Sequence, residues 1–235
     1  ELGPVALDAA PAVFDLGGLF CRVHHKTHDP ASGLAHVDIF LDWPPVDGAW
    51  TVRLANGGPQ PVAFDAWIER DDGSNTQSVF AAADVETKTT LSTLACGARP
   101  IVVGAYGSGD LGETVADFSA AGPTRTGGPK PDVSAPGQYD DTRGVEAASS
   151  RSQGVTGFAG TSQAAPHVAG VIALMFEAAP RLPDIEDIRH ILTITARPAP
   201  GQAQPWDGRA GAGRVDAAAA VAAALALTAG PSGPP

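Results

Sequence analysis

Residues 160–179 constrain this chain more than any other stretch. Gly160-Thr161-Ser162-Gln163-Ala164-Ala165-Pro166-His167-Val168-Ala169-Gly170 runs on into Val171, Ile172, Leu174 and Met175, small or apolar at most positions until Pro180. A helix that is apolar all round is a buried one, and its alanines let neighbouring backbones approach. The pattern therefore predicts a fully buried helix opened by a hydroxyl-bearing residue. Pro166 is placed in the first turn, where its missing N–H is harmless. A serine at such a start has unpaired backbone N–H groups and the positive end of the helix dipole beside it, which suits a forming oxyanion. Thr161 and Ser162 are also residue types that simply cap helices.

The rest of the chain narrows the fold class. Twenty-eight glycines and 21 prolines among 235 residues predict many turns and tight backbone approaches, not a helical bundle. A net charge of −11 makes phosphate backbones and anionic membrane surfaces poor partners. No apolar run reaches the length that crosses a bilayer. Cys21 and Cys96 do not make a disulfide scaffold. The chain opens at Glu1 and reads as a piece of a longer polypeptide or a processed form.

Two grammars follow one another along the sequence. Pro4, Pro11, Gly17 and Gly18 break up the first thirty-odd residues, which show no lasting period. Residues 36–43, 50–54 and 63–70 alternate polar and apolar and are bounded by turn residues, so they are expected to form an antiparallel β unit. Trp43, Trp50 and Trp67 would belong to its core. Beyond residue 99, Ile101-Val102-Val103-Gly104-Ala105 reads as a strand covered on both faces, with residues 115–118 as a short partner. Residues 184–196 read as an amphipathic helix capped by Asp184, and residues 214–227 as a last helix with Asp216 early in it. Helices interleaved with a buried strand make an α/β layer architecture.

Three segments in the second half carry a family resemblance. They are the apolar strand at 101–105, the loop Phe118-Ser119-Ala120-Ala121-Gly122-Pro123 with Lys130-Pro131-Asp132-Val133-Ser134-Ala135-Pro136-Gly137, and the Gly160 to Gly170 motif. In this order they resemble the last active-site segments of subtilisin-like serine proteases (subtilases). The resemblance covers residues 91–227 and implies the C-terminal part of the catalytic domain, a partial subtilisin-like parallel-sheet core of α/β class. Residues 1–35 would then be an irregular lead-in, 36–90 a β-rich, sandwich-like antiparallel insertion, and 228–235 a flexible tail.

The resemblance implies that Ser162 attacks a peptide carbonyl and passes through an acyl-enzyme. A serine hydroxyl needs an adjacent base, which in the family is a histidine in a His-Gly-Thr context. That histidine is oriented by an aspartate in an Asp-Ser/Thr-Gly context, and neither context occurs here. His167 matches a non-catalytic family position, and His190 lies on a surface-type helix. His24, His25 and His28 read as part of a solvated loop. The family's oxyanion asparagine has no counterpart either, since Asn56 and Asn75 sit in turns. The base, the acid and that asparagine are therefore expected from an N-terminal part of the catalytic domain. The alternative is an inactive subtilisin-like binding or scaffold module.

The expected partners are that N-terminal part and a protein or peptide substrate, with no nucleic acid and no membrane. No cofactor is expected, and structural calcium is left open. Asp71-Asp72-Gly73-Ser74-Asn75 has suitable oxygens but lacks the downstream glutamate of a full calcium loop, and reads as a turn. Asp132 reads as a structural carboxylate, holding loop amides or a positive charge. The family implies a secreted or extracytoplasmic location.

Overall fold

The computed structural model describes residues 2–28, 33–42, 48–69, 78–109 and 112–228. All of the expected tail at 228–235 but Thr228, together with the Asp71–Asn75 turn, Asn75 and Trp43, falls outside them. Two compact units separate between Asp65 and Ala66.

In the first unit three strands, β1 (Ala12–Asp15), β2 (Phe20–Lys26) and β3 (His36–Asp42), form an antiparallel meander in chain order. The lead-in was expected to be irregular, yet it supplies β1 and β2. Gly17 and Gly18 do not break the segment; they make its hairpin. Both adopt positive φ (78° and 105°), and their N–H groups donate to the Asp15 carboxylate at 2.9 and 3.0 Å. His24 and His25 therefore lie in a strand rather than a loop, on opposite faces of it. The His24 ring meets Phe40 edge-on at 5.6 Å. Among the described residues of this unit, Leu19 and Cys21 are the buried apolar side chains, and Phe20, Ile39, Phe40 and Leu41 are exposed.

The expected strand at 36–43 is present as β3. Those at 50–54 and 63–70 are not strands over their described residues, and Trp50, Val52, Leu54, Phe64 and Trp67 are exposed there. Alternation becomes a strand only when a neighbour completes the hydrogen-bond ladder, and none does so here among the described residues.

The second unit holds the layered core. Strands β4 (Val103–Gly107) and β5 (Val133–Gln138) pair in parallel, and β6 (Val145–Ala148) and β7 (Val155–Phe158) form a hairpin. Helices α1 (Thr161–Ala178), α2 (Ile185–Thr195) and α3 (Ala217–Leu225) follow. The partner expected at 115–118 is a single bridge, Val115 to Tyr106. Helix α1 packs on β4, β5 and α3, and α2 on α3. Alanines 105, 135, 164, 220 and 224 sit among Val133, Val168, Met175, Ile188, Ile191 and Leu192, so the layers close to short range.

A local cap starts α2, and one cross-link ties that helix to the sheet. Asp184 caps α2 through the Glu186 and Asp187 N–H groups, and the Asp187 carboxylate answers at the Asp184 N–H. The buried Asp132 carboxylate accepts from the Val102 N–H at 2.7 Å, from Lys130 Nζ at 2.8 and 3.0 Å, and from Arg189 Nε at 3.1 Å. Arg189 also donates to the Ala98 and Arg99 carbonyls. The carboxylate thus holds both a loop amide and positive charge, which joins α2 to the start of β4.

Helix α1 departs from expectation in two ways. Its buried side chains are Ala164, Val168, Val171 and Met175, whereas Ala165, Ala169, Leu174 and Phe176 are exposed. An all-round apolar composition says that a helix can be covered everywhere; the described elements cover one side. Pro166 also falls in the second turn rather than the first, because the helix starts at Thr161. There its ring removes the bond that would reach the Ser162 carbonyl.

Candidate active site

The carboxyl end of β5 and the start of α1 meet at a backbone bond. The Gly160 N–H donates to the Gly137 carbonyl at 2.8 Å. Gly160 is the N-cap, with φ 150° and ψ 165°, a conformation that side-chain-bearing residues rarely adopt. No side chain caps the helix, so neither Thr161 nor Ser162 serves as its cap. Ser162 is the second helical residue and is exposed. Among the described residues its hydroxyl forms no hydrogen bond. Its N–H belongs to the first turn, where no intrahelical acceptor exists. The buried Ala164 and Val168, two and six residues on, fix the helix against the sheet beneath. The result is a hydroxyl in the open at the positive end of a rigid helix.

Within the second unit the histidines do not reach this hydroxyl. His167 is exposed and its Nδ1 bonds to the Gln163 carbonyl at 2.7 Å; His190 is exposed on α2. In the first unit, His25 Nδ1 meets the Val5 carbonyl at 3.4 Å and His36 Nε2 the Asp38 carboxylate at 2.7 Å. No group of three or more His, Cys, Asp or Glu among the described residues is arranged to hold a metal. Asn56 folds on its own turn, donating to the Gln60 carbonyl and accepting from the Gly58 N–H. Cys21 and Cys96 are free.

Two depressions are lined in part by residues of α1. One, of about 220 Å³, is lined by Thr161 with Thr90, Ser92, Gly104, Ser119 and Pro131. The other, of about 450 Å³, is lined by His167 with Ser108 and Tyr139, just past β4 and β5, and by Arg143 and Glu146 at the start of β6. Ser162 lines neither. The rim of the larger one is charged and ordered: Arg143 stacks over the Tyr139 ring at 4.2 Å and pairs with Asp140. The Thr142 backbone N–H, with the Arg143 and Thr142 side chains, holds the Asp140 carboxyl well below the usual carboxylate range. Burial pushes the Tyr106 phenol on β4 up, against the pull of Arg197 and Arg214.

This cleft was not foreseen from sequence. Its residues come from separate segments, and no spacing links them. The contact of Gly137 with Gly160 was likewise invisible, although a Pro-Gly pair ending an apolar strand marks a place where backbones approach closely.

The profile of the subtilase family matches residues 49–213. Minor extracellular protease Vpr of Bacillus subtilis (strain 168) is 31% identical over 153 residues, 63% of this chain and 17% of that protein. An extracellular protease of Xanthomonas campestris pv. campestris is 36% identical over 175 residues, 74% of this chain and 28% of that protein. The fold is similar to that of the Clostridium perfringens CspB protease, with a TM-score of 0.64 at 21% identity, over 96% of this chain and 47% of that one. The chain thus spans under a third of the curated relatives it matches.

Proposed function

The chain belongs to the subtilase family, and from that premise we propose that Ser162 is the nucleophile of a serine endopeptidase. Family membership supports serine protease function in general, and the uncommitted hydroxyl at the amino end of α1 carries the assignment to this residue. In the proposed reaction Ser162 Oγ bonds to the peptide carbonyl carbon while its proton passes to a histidine. The carbonyl oxygen becomes an oxyanion that the Ser162 N–H can meet. Collapse breaks the C–N bond, the histidine returns the proton to the leaving amine, and water then releases the acyl group.

The histidine, its aspartate and the oxyanion asparagine are assigned to a preceding part of the catalytic domain. Residues 91–227 are read as its C-terminal part and 36–90 as an insertion. The bare face of α1, with Ala165, Ala169, Leu174 and Phe176, suits contact with that preceding part. Protein substrates follow from the family, and secretion from relatives named as extracellular proteases. No described helix is long and apolar enough to cross a membrane.

The test is hydrolysis of an unfolded protein substrate by the complete polypeptide, beside its Ser162→Ala variant. A fall of about 10⁴-fold or more in kcat is expected. Unchanged hydrolysis in the variant would remove Ser162 from the chemistry.

A further inference from the structure

Whatever fixes Gly160 also fixes Ser162, two residues on. Gly137 is the fifth residue of β5 and is buried. It does not adopt the left-handed backbone that would by itself call for glycine. The demand is one of space. A β-carbon at Gly137 would stand 2.5 Å from the β-carbon of Ala105 on β4 and 2.9 Å from the Gly160 carbonyl oxygen. Carbon atoms in ordinary contact sit about 3.5–4.0 Å apart.

Gly137 therefore touches the nucleophile loop twice. Its carbonyl accepts the Gly160 N–H, and its bare α-carbon lets the Gly160 carbonyl pass. That Gly160 carbonyl in turn accepts the Gln163 N–H at 3.0 Å, which closes the first turn of α1 around Ser162. A continuous backbone path runs from the carboxyl end of β5 into the turn that carries the hydroxyl. Displacement of a reacting group by about 1 Å can lower a rate by about a hundredfold.

We propose that Gly137 is a positioning residue for Ser162, acting through Gly160; this deepens the nucleophile assignment above and rests on it. Two neighbours crowd the added carbon, and they separate packing from positioning. Gly137→Ala clashes with both Ala105 and the Gly160 carbonyl. Adding Ala105→Gly removes the first clash and leaves the second.

The experiment compares wild type, Gly137→Ala, Ala105→Gly and the double variant in the complete polypeptide. Three quantities are read: the melting temperature, exchange of the Gly160 amide by NMR, and the rate at which a fluorophosphonate labels Ser162. The double variant is expected to melt with Ala105→Gly alone. It should still exchange Gly160 about tenfold faster and label Ser162 about tenfold more slowly, with the KM for a peptide substrate unchanged. Recovery of both amide protection and labelling in the double variant would overturn the proposal and leave Gly137 as packing. If wild type does not label at all, the nucleophile assignment fails on its own. Gly160 exchange then still decides whether Gly137 anchors the loop: faster exchange supports it and unchanged exchange overturns it.

Discussion

The β1–β3 sheet and the α1–α3 core solve the same backbone problem with different consequences. Strands β2 and β3 pair in unbroken register from Phe20 opposite Asp42 to Lys26 opposite His36. Their ladder is complete, yet Phe20, Ile39, Phe40 and Leu41 stay exposed. Among the described residues of the second unit the parallel ladder is two strands wide, but Val133, Val168, Met175 and Leu192 are fully buried. Hydrogen bonds decide whether a segment becomes an element. Cover from another layer decides whether its apolar face becomes a core. Residues 48–69 have neither a ladder nor cover, and alternation alone leaves them irregular.

Substitutions can break this contrast. The largest effect is expected at the cross-link of the core. Asp132→Ala leaves Lys130 and Arg189 without their shared carboxylate, and should lower unfolding free energy by about 3–5 kcal/mol in denaturant titration. A loss below about 1 kcal/mol would mean that the Asp132 carboxylate does not hold α2 to β4. Next comes truncation in the core: Leu192→Ala should lower stability by about 2–5 kcal/mol, measured the same way.

A smaller effect should appear with pH at the start of α2. The Arg181 side chain, the Asp184 N–H and the nearby His190 hold the Asp187 carboxyl below its ordinary value. A depressed folded value stabilises above the unfolded one, near pH 4. The contribution is therefore intact at neutral pH and lost as pH falls from about 4 through the lower folded value. Melting temperature followed from pH 7 to pH 3 should drop less in Asp187→Asn than in wild type, and an equal drop would remove this carboxylate from the acid response. The smallest change is expected on the sheet: Val13→Thr, on exposed β1, should stay within about 0.5 kcal/mol by denaturant titration. A loss matching that of Leu192→Ala would show that β1 is covered after all.

The elements whose cause is local could be read from sequence. Asp184 after Pro183 announces a cap, and the cap is there, with Asp187 completing it. Gly160-Thr161-Ser162 ahead of a run of alanines announces a helix start, and α1 begins at Thr161. Misreadings occur where the cause is tertiary. Gly17 and Gly18 look like breakers until β2 folds back on β1. The 50–54 and 63–70 patterns look like strands until no partner is found. The apolar circumference of α1 cannot reveal which side the layers occupy. Gly137 looks like any turn glycine until Ala105 and Gly160 close around it. The open hydroxyl of Ser162 was readable in type and place, whereas the depressions beside it depend on residues brought together only by the fold.

The most direct measurement is peptide mapping of the complete polypeptide after reaction with a fluorophosphonate. A phosphonyl adduct on Ser162, absent from heat-unfolded protein, is the expected result. A folded, intact catalytic domain that carries no adduct at Ser162, or carries it on another serine, would contradict the assignment of the α1 hydroxyl as nucleophile.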